Sequence, residues 1–200
     1  MKRWFTAGLA LACTLTLAQT PAANPTQRLR GTVQSFDGST LVVKERSGEL
    51  LSLVLADNFS VNEVLLNEVS AVQAGSYVGA AAMPAADGTL RALEVLVFPE
   101  AARGSGEAHT AWDLQPGSTM TNATVADLVT AADGRSLKLR YKDGEKTLTV
   151  PAGVPVVTFK PGDRSLLVAG ANVLVTAQLR DGKPTALRAL AGRGGFVPPM

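Results

Sequence analysis

The side chains best suited to chemistry crowd into one stretch of this 200-residue chain. Between Arg103 and Asn122 it reads Arg-Gly-Ser-Gly-Glu-Ala-His-Thr-Ala-Trp-Asp-Leu-Gln-Pro-Gly-Ser-Thr-Met-Thr-Asn. His109 is the only histidine, and Trp112 is the only tryptophan besides Trp4 near the N-terminus. Glu107, His109 and Asp113 could offer a metal two carboxylates and an imidazole, with Met120 as a soft fourth ligand suited to copper. That would suit a metal-binding accessory of a transport or resistance system. A single histidine supports such a site poorly, because metal centres usually draw ligands from several elements. The reading adopted is that His109 hydrogen-bonds within the loop while Trp112 covers a seam, so that Arg103, Glu107, His109, Trp112 and Asp113 form a contact site. The metal stays unassigned, and no cofactor is expected.

Catalytic arrangements are scarcer. His109 has no cysteine partner, no Gly-x-Ser-x-Gly elbow occurs, and Arg103-Gly104-Ser105-Gly106 lacks the lysine and following helix of a phosphate cradle. A His109 base orienting Ser105 or Ser118 is what an envelope hydrolase would require. The expectation is a binding or scaffold protein, not an enzyme.

Glycine and proline at this density place residues 100–120 on a connection between two rigid units. A flexible tether would be polar, whereas this one carries Trp112, Leu114 and Met120, which should be buried. Turn signals repeat on both sides. Asp133-Gly134 follows Asp37-Gly38 by 96 positions, Asp143-Gly144 follows Ser47-Gly48 by 96, Gly170 follows Gly75 by 95, and Asp181-Gly182 follows Asp87-Gly88 by 94. A nearly constant offset is the mark of an internal repeat.

The first unit, 28–99, reads as short strands joined by tight turns. Val61, Val64, Leu65, Val69 and Val72 fall at helical spacing, which predicts a short helix over 61–72 that Gly75 ends. The second unit, 121–191, has Pro151, Pro155 and Pro161 in place of that helix. In it Leu137, Leu139 and Tyr141 alternate with Lys138, Arg140 and Lys142, giving a strand with one wet face. Five strands with a helix between the third and fourth is the order of an OB-type barrel, a β-sandwich being the alternative. The expected fold is therefore all-β, two tandem five-stranded OB-like β-barrels related by internal duplication. A tail over 192–200 follows.

Several motifs carry a resemblance. Gly31-Thr32-Val33, Asp37-Gly38-Ser39-Thr40-Leu41, Gly75-Ser76-Tyr77-Val78 and Asp87-Gly88-Thr89-Leu90 look like an exported bacterial OB-fold-like repeat of unknown function. Glu94-Val95-Leu96-Val97-Phe98-Pro99-Glu100, the central stretch, and the tail Gly192-Arg193-x-Gly195-x-x-Pro198-Pro199-Met200 extend the likeness to nearly the whole chain past the leader. Members of that family are sometimes labelled metal transporter permeases. The label does not fit this sequence, which has no set of apolar stretches long enough to span a membrane repeatedly.

Lys2 and Arg3, the apolar run from Phe5 to Ala18, and Thr16-Leu17-Ala18 form a secretory signal peptide over 1–18, followed by a spacer over 19–27. Cys13, the only cysteine, sits in Ala10-Leu11-Ala12-Cys13 with apolar residues continuing beyond it, a poor match to a lipidation site. The sequence thus implies a periplasmic or secreted protein without a transmembrane anchor. Of 19 Lys and Arg, two lie in the leader, leaving 17 against 17 Asp and Glu. Without a basic excess, and with 5% aromatic residues to stack on bases, nucleic acid is excluded as a partner. An envelope protein or a small ligand remains. Mass spectrometry of the exported protein should find Gln19 as the first residue; an intact Met1, or a lipid on Cys13, would overturn the assignment.

Overall fold

A computed structural model describes residues 25–131 and 134–197 of the chain. The leader, nearly all of the spacer, Asp133 and Pro198-Pro199-Met200 lie outside the described residues. The fold is all-β, with no helix of seven residues or more among the described residues. Among the described residues the strands are β1 (Thr26–Phe36), β2 (Thr40–Glu45), β3 (Leu50–Asn67), β4 (Tyr77–Pro84), β5 (Leu90–Val97), β6 (Ala108–Ala111), β7 (Thr119–Ala131), β8 (Gly134–Tyr141), β9 (Gly144–Pro151), β10 (Val156–Pro161), β11 (Asn172–Arg180) and β12 (Lys183–Gly192). Short 3-10 turns lie at Val69–Ala71, Glu100–Ala102 and Arg164–Leu166.

Five strands close into a barrel, but not the five that adjoin one another in sequence. β1 pairs with β2 and β11, β2 with β3, β11 with β12, and β12 closes the ring by running parallel to β3. The barrel therefore takes its last two strands from the far end of the chain, which corrects the expectation of a self-contained unit over 28–99. β4 and β5 go the other way. β4 pairs with β7, β7 with β8 and β8 with β9, while β9 touches β5 at Leu90↔Leu148 and Arg91↔Thr149. Neighbouring strands usually pair, and that rule underlies the contiguous expectation; here the chain leaves before it can close on itself.

β3 is what carries it out. The helix expected over 61–72 does not form, because 18 residues from Leu50 to Asn67 are one strand and only Val69–Ala71 turns. Val61 belongs to the core of the closed barrel, whereas Val64 belongs to a separate cluster with Leu96, Val157 and Leu174. A strand buried on both faces loses the alternation that marks a half-wet strand, and its valines then mimic helical spacing. The far half of β3 is paired on both sides, with β12 and antiparallel with β10, so its backbone groups are satisfied without a helix. Later in the chain the path is interrupted by prolines. β9 ends at Pro151, Pro155 lies in the gap, and β10 resumes at Val156.

Certain details occur twice. Gly170 donates to Val33 O at 2.8 Å while Val33 donates to Ala171 O at 2.9 Å; Gly75 donates to Val125 O at 2.8 Å while Val125 donates to Ser76 O at 2.9 Å. Register slips between Val33 and Ser35 and again between Val125 and Asp127, and between Ala81 and Ala82 and again between Thr176 and Ala177. The turns use the expected chemistry. Asp37 Oδ1 accepts from Ser39 N at 2.8 Å and Thr40 N at 2.7 Å, and Asp87 Oδ1 accepts from Thr89 N at 3.0 Å, so both carboxyls are held below their ordinary range. At Gly31 a Cβ would stand 2.1 Å from Lys44 O, so only glycine lets β1 approach β2 there.

The cores follow the pairing. One gathers Val33, Leu41, Val43, Leu53 and Val61 with Leu166, Val173, Val175 and Ala189. The other gathers Val78, Leu90 and Val95 with Val125, Leu137, Leu139 and Leu148. Each needs side chains from both halves of the chain. Residues 19–120 alone supply β1 to β3 without β11 and β12, and β4 and β5 without β7 to β9. That fragment should show no cooperative thermal transition by circular dichroism, and adding residues 121–200 should restore one. A fragment that melts cooperatively alone would refute this dependence of each core on both halves.

Candidate functional site

The central stretch is ordered strand and turn, not a plain connection. β6 pairs antiparallel with the start of β7, setting His109 opposite Thr121 and Thr110 opposite Met120. The turn between them is closed by Ser118, whose amide donates to Gln115 O at 3.0 Å and whose carbonyl accepts from Trp112 N at 2.8 Å. Ser118 Oγ is buried against Trp112 O at 3.0 Å and Gln115 O at 2.7 Å. Ahead of β6, Tyr77 donates to Ser105 O at 3.2 Å and Asn122 to Gly106 O at 3.1 Å.

The five expected contact residues separate. Arg103 turns back on its own segment, gripping Glu100 through Nε at 2.6 Å and Nη2 at 2.8 Å and donating to Gly75 O at 3.2 Å. Glu107 is exposed. His109 shares a 2.8 Å hydrogen bond between Nδ1 and Thr121 Oγ1 and lies 6.2 Å from the Tyr141 ring; burial, then the Lys146 charge, pushes its pKa down. Among the described residues no three His, Cys, Asp or Glu side chains are grouped to hold a metal, so Glu107, His109 and Asp113 do not converge. Of the residues expected to be buried, Met120 is, while Trp112 and Leu114 are half-buried.

Trp112 and Asp113 remain together, fastened to β1 of the closed barrel. The Arg28 guanidinium lies 4.0 Å from the Trp112 ring centroid and that of Arg30 lies 5.7 Å from it, both cation–π distances. Asp113 Oδ1 meets Arg28 Nε at 3.2 Å, and Oδ2 meets Arg30 Nη1 at 2.9 Å. Burial raises the Asp113 pKa, but the hydrogen bonds and charges of Arg30 and Arg28 outweigh it, and the carboxyl is held below its ordinary value. Arg28 and Arg30 are residues that the sequence reading missed. In Arg28-Leu29-Arg30 the arginines alternate with a leucine, and the face they occupy reads as solvent when it is a seam.

Beside Trp112 lies a cleft of about 410 Å³. One wall is the outer face of the closed barrel, with Arg28 on β1, Leu174 and Thr176 on β11, and Arg188 and Leu190 on β12. The other carries Leu96, Phe98, Met120, Asn122 and Phe159, where the Phe98 and Phe159 rings meet edge to face at 5.9 Å. Thr26, Asn62 and Ser105 add further polar groups, so the lining is mixed, and a concave site where apolar and polar side chains converge is suited to a small molecule.

Glu94, on β5 near this seam, is only 1% exposed, and neither carboxyl oxygen has a hydrogen-bond partner. Burial, partly offset by the Arg30 charge, pushes its pKa up to about 8. It is therefore protonated at neutral pH. A lone glutamate in Ala92-Leu93-Glu94-Val95-Leu96 was the available signal.

No family model matches the chain, and neither a curated protein nor a solved structure matches it.

Glu94 makes stability depend on pH. Unfolded, it loses its proton near its ordinary 4.5; folded, it keeps it to about 8, so unfolding releases a proton between those values. Stability contributed by this residue thus falls as pH rises through that window, by about 1.4 kcal/mol per unit, and levels off above it. Urea titrations of wild type and Glu94→Gln at pH 5, 6.5 and 8 should diverge, with the variant increasingly the more stable. Parallel curves would remove Glu94 from the account.

Proposed function

We propose that this chain is an exported, non-enzymatic binding or scaffold protein of the bacterial envelope, and that its contact site is the cleft beside Trp112. The observation that carries the reading is that cleft, where apolar and aromatic side chains from two strand sets converge with arginines from β1 and β12. The side chains nearest to a catalytic set are otherwise engaged: His109 bonds Thr121, and the Ser118 hydroxyl bonds backbone. A binding role needs no general base.

The architecture proposed with it is a duplicated five-stranded OB-like unit whose copies have exchanged their last two strands. Support comes from the paired Gly170/Val33 and Gly75/Val125 hydrogen bonds, and from register slips at matching places. It comes also from β3 and β10, the corresponding segments of the two copies, pairing antiparallel. Exchange of identical elements is a short step for a duplicated unit. Its consequence is a seam between the sets, and the cleft opens on that seam.

The isotope-labelled protein, titrated with a small-molecule extract of the envelope, should show NMR shifts centred on Trp112, Met120, Phe98 and Phe159. The pattern should vanish in Trp112→Ala, provided its remaining spectrum keeps the wild-type dispersion. Shifts confined to another face, or none at all, would overturn the reading.

A further inference from the structure

Resting on the reading of the cleft as a binding site, we infer that its ligand is a small amphipathic anion: one carboxylate or phosphate head on an apolar body at least about 7 Å long. The head is assigned by a row of side chains across three strands. Arg28 on β1 pairs with Thr176 on β11, which pairs with Arg188 on β12, so the three stand side by side on the face lining the cleft. Two guanidiniums thus flank a hydroxyl. Arg188 Nε donates to Thr176 Oγ1 at 3.3 Å, and among the described residues no carboxylate pairs with Arg188. Arg28, by contrast, shares Asp113 with Arg30. Asp113 is thus shared between two arginines, while Arg188 has no carboxylate partner among the described residues. Guanidinium forks suit carboxylate and phosphate oxygens, and an anion at this row would supply the missing counter-charge.

The body is assigned by the next row. Two residues along, Arg30 pairs with Leu174, and Leu174 with Leu190. At about 3.3 Å per residue, the leucine row begins about 7 Å from the arginine row. Beyond it stand Leu96, Phe98 and Phe159. A ligand whose charge is met at the first row meets mainly apolar side chains beyond it, with Asn62 beside Leu190 and Asn122 as the polar exceptions. A cationic head would face Arg188, and a bare anion would leave the leucines and phenylalanines uncovered. A volume near 410 Å³ is at the small end for ligand sites, which fits a single short chain or ring system.

The test uses four probes with one ten-carbon chain, each below its micellar concentration: decanoate, decyl phosphate, decanol and decyltrimethylammonium. Binding is read by calorimetry and by the Trp112 indole NMR signal, assigned with Trp112→Phe. Decanoate or decyl phosphate should bind at least ten-fold more tightly than decanol, and decyltrimethylammonium more weakly still. Whichever anion wins identifies the head as a free acid or a phosphate. Arg188→Ala should weaken the anions about ten-fold and leave decanol unchanged, with Arg188→Lys intermediate; the exposed position of Arg188 keeps these variants folded, as a thermal melt will check. Equal binding of decanol and the anions, or no loss in Arg188→Ala, would overturn the anion assignment while leaving the cleft a binding site. If no probe moves the Trp112 signal, the amphiphile inference falls, and the extract titration alone decides whether the cleft binds anything.

Discussion

The pairing of β3 with β10 is the constraint on which the rest depends. Asn62 to Asn67 run antiparallel to Val156 to Pro161, and each of these segments also lies parallel to a strand that the other half of the chain supplies or borders: β12 beside β3, and β5 beside β10. A strand so placed is buried on both faces where it crosses, at Val61, Glu63 and Val64, while Leu66 near its end stays exposed. Its apolar side chains must serve a barrel core on one side and the seam on the other, as Val61 and Val64 do. Once β3 is committed to the seam, β4 starts on the far side, and the closed barrel must wait for β11 and β12. The topology follows from one strand being too long to turn back.

The same constraint explains why the central stretch is fastened to both strand sets. β6 and the turn from Asp113 to Ser118 lie on β7, yet Trp112 and Asp113 reach β1 of the closed barrel. A cation–π contact contributes on the order of 1 kcal/mol, and a half-exposed ion pair little more. Their value lies in geometry. Together they fix the Trp112 ring at the mouth of the cleft, where a mobile indole would offer no defined surface.

Much of the fold was legible, for identifiable reasons. Asp-Gly turns announce themselves because their carboxyls bond the following amides, and Leu137, Leu139 and Tyr141 alternate with charge because β8 is wet on one face. What could not be read was pairing partner and burial on two sides. Nothing local distinguishes a strand that closes its own barrel from one that crosses to another, and Val61 and Val64 fall at helical spacing because they serve two different cores. The site was half legible. Trp112 and Asp113 stand out by type, whereas Arg28, Arg30 and Arg188 look like ordinary strand-face charges until the second wall is in place.

That wall also changes what the charges mean. Residues 19–200 are formally neutral, with 17 basic against 17 acidic residues, so no long-range field draws an anion in. The positive character of the cleft is local and has two sources. Glu94, which feels the Arg30 charge, is buried deeply enough to keep its proton and contributes no charge at neutral pH. Asp113 then stands as one carboxylate against Arg28 and Arg30, and Arg188 stands across Thr176 with none. Ionising Glu94 would restore a negative charge beside Arg30 and weaken the hold of the cleft on an anion. The burial that makes Glu94 costly to the fold therefore also withholds a negative charge from the seam, and the anion site inferred for the cleft would rest on one protonated acid as much as on its arginines.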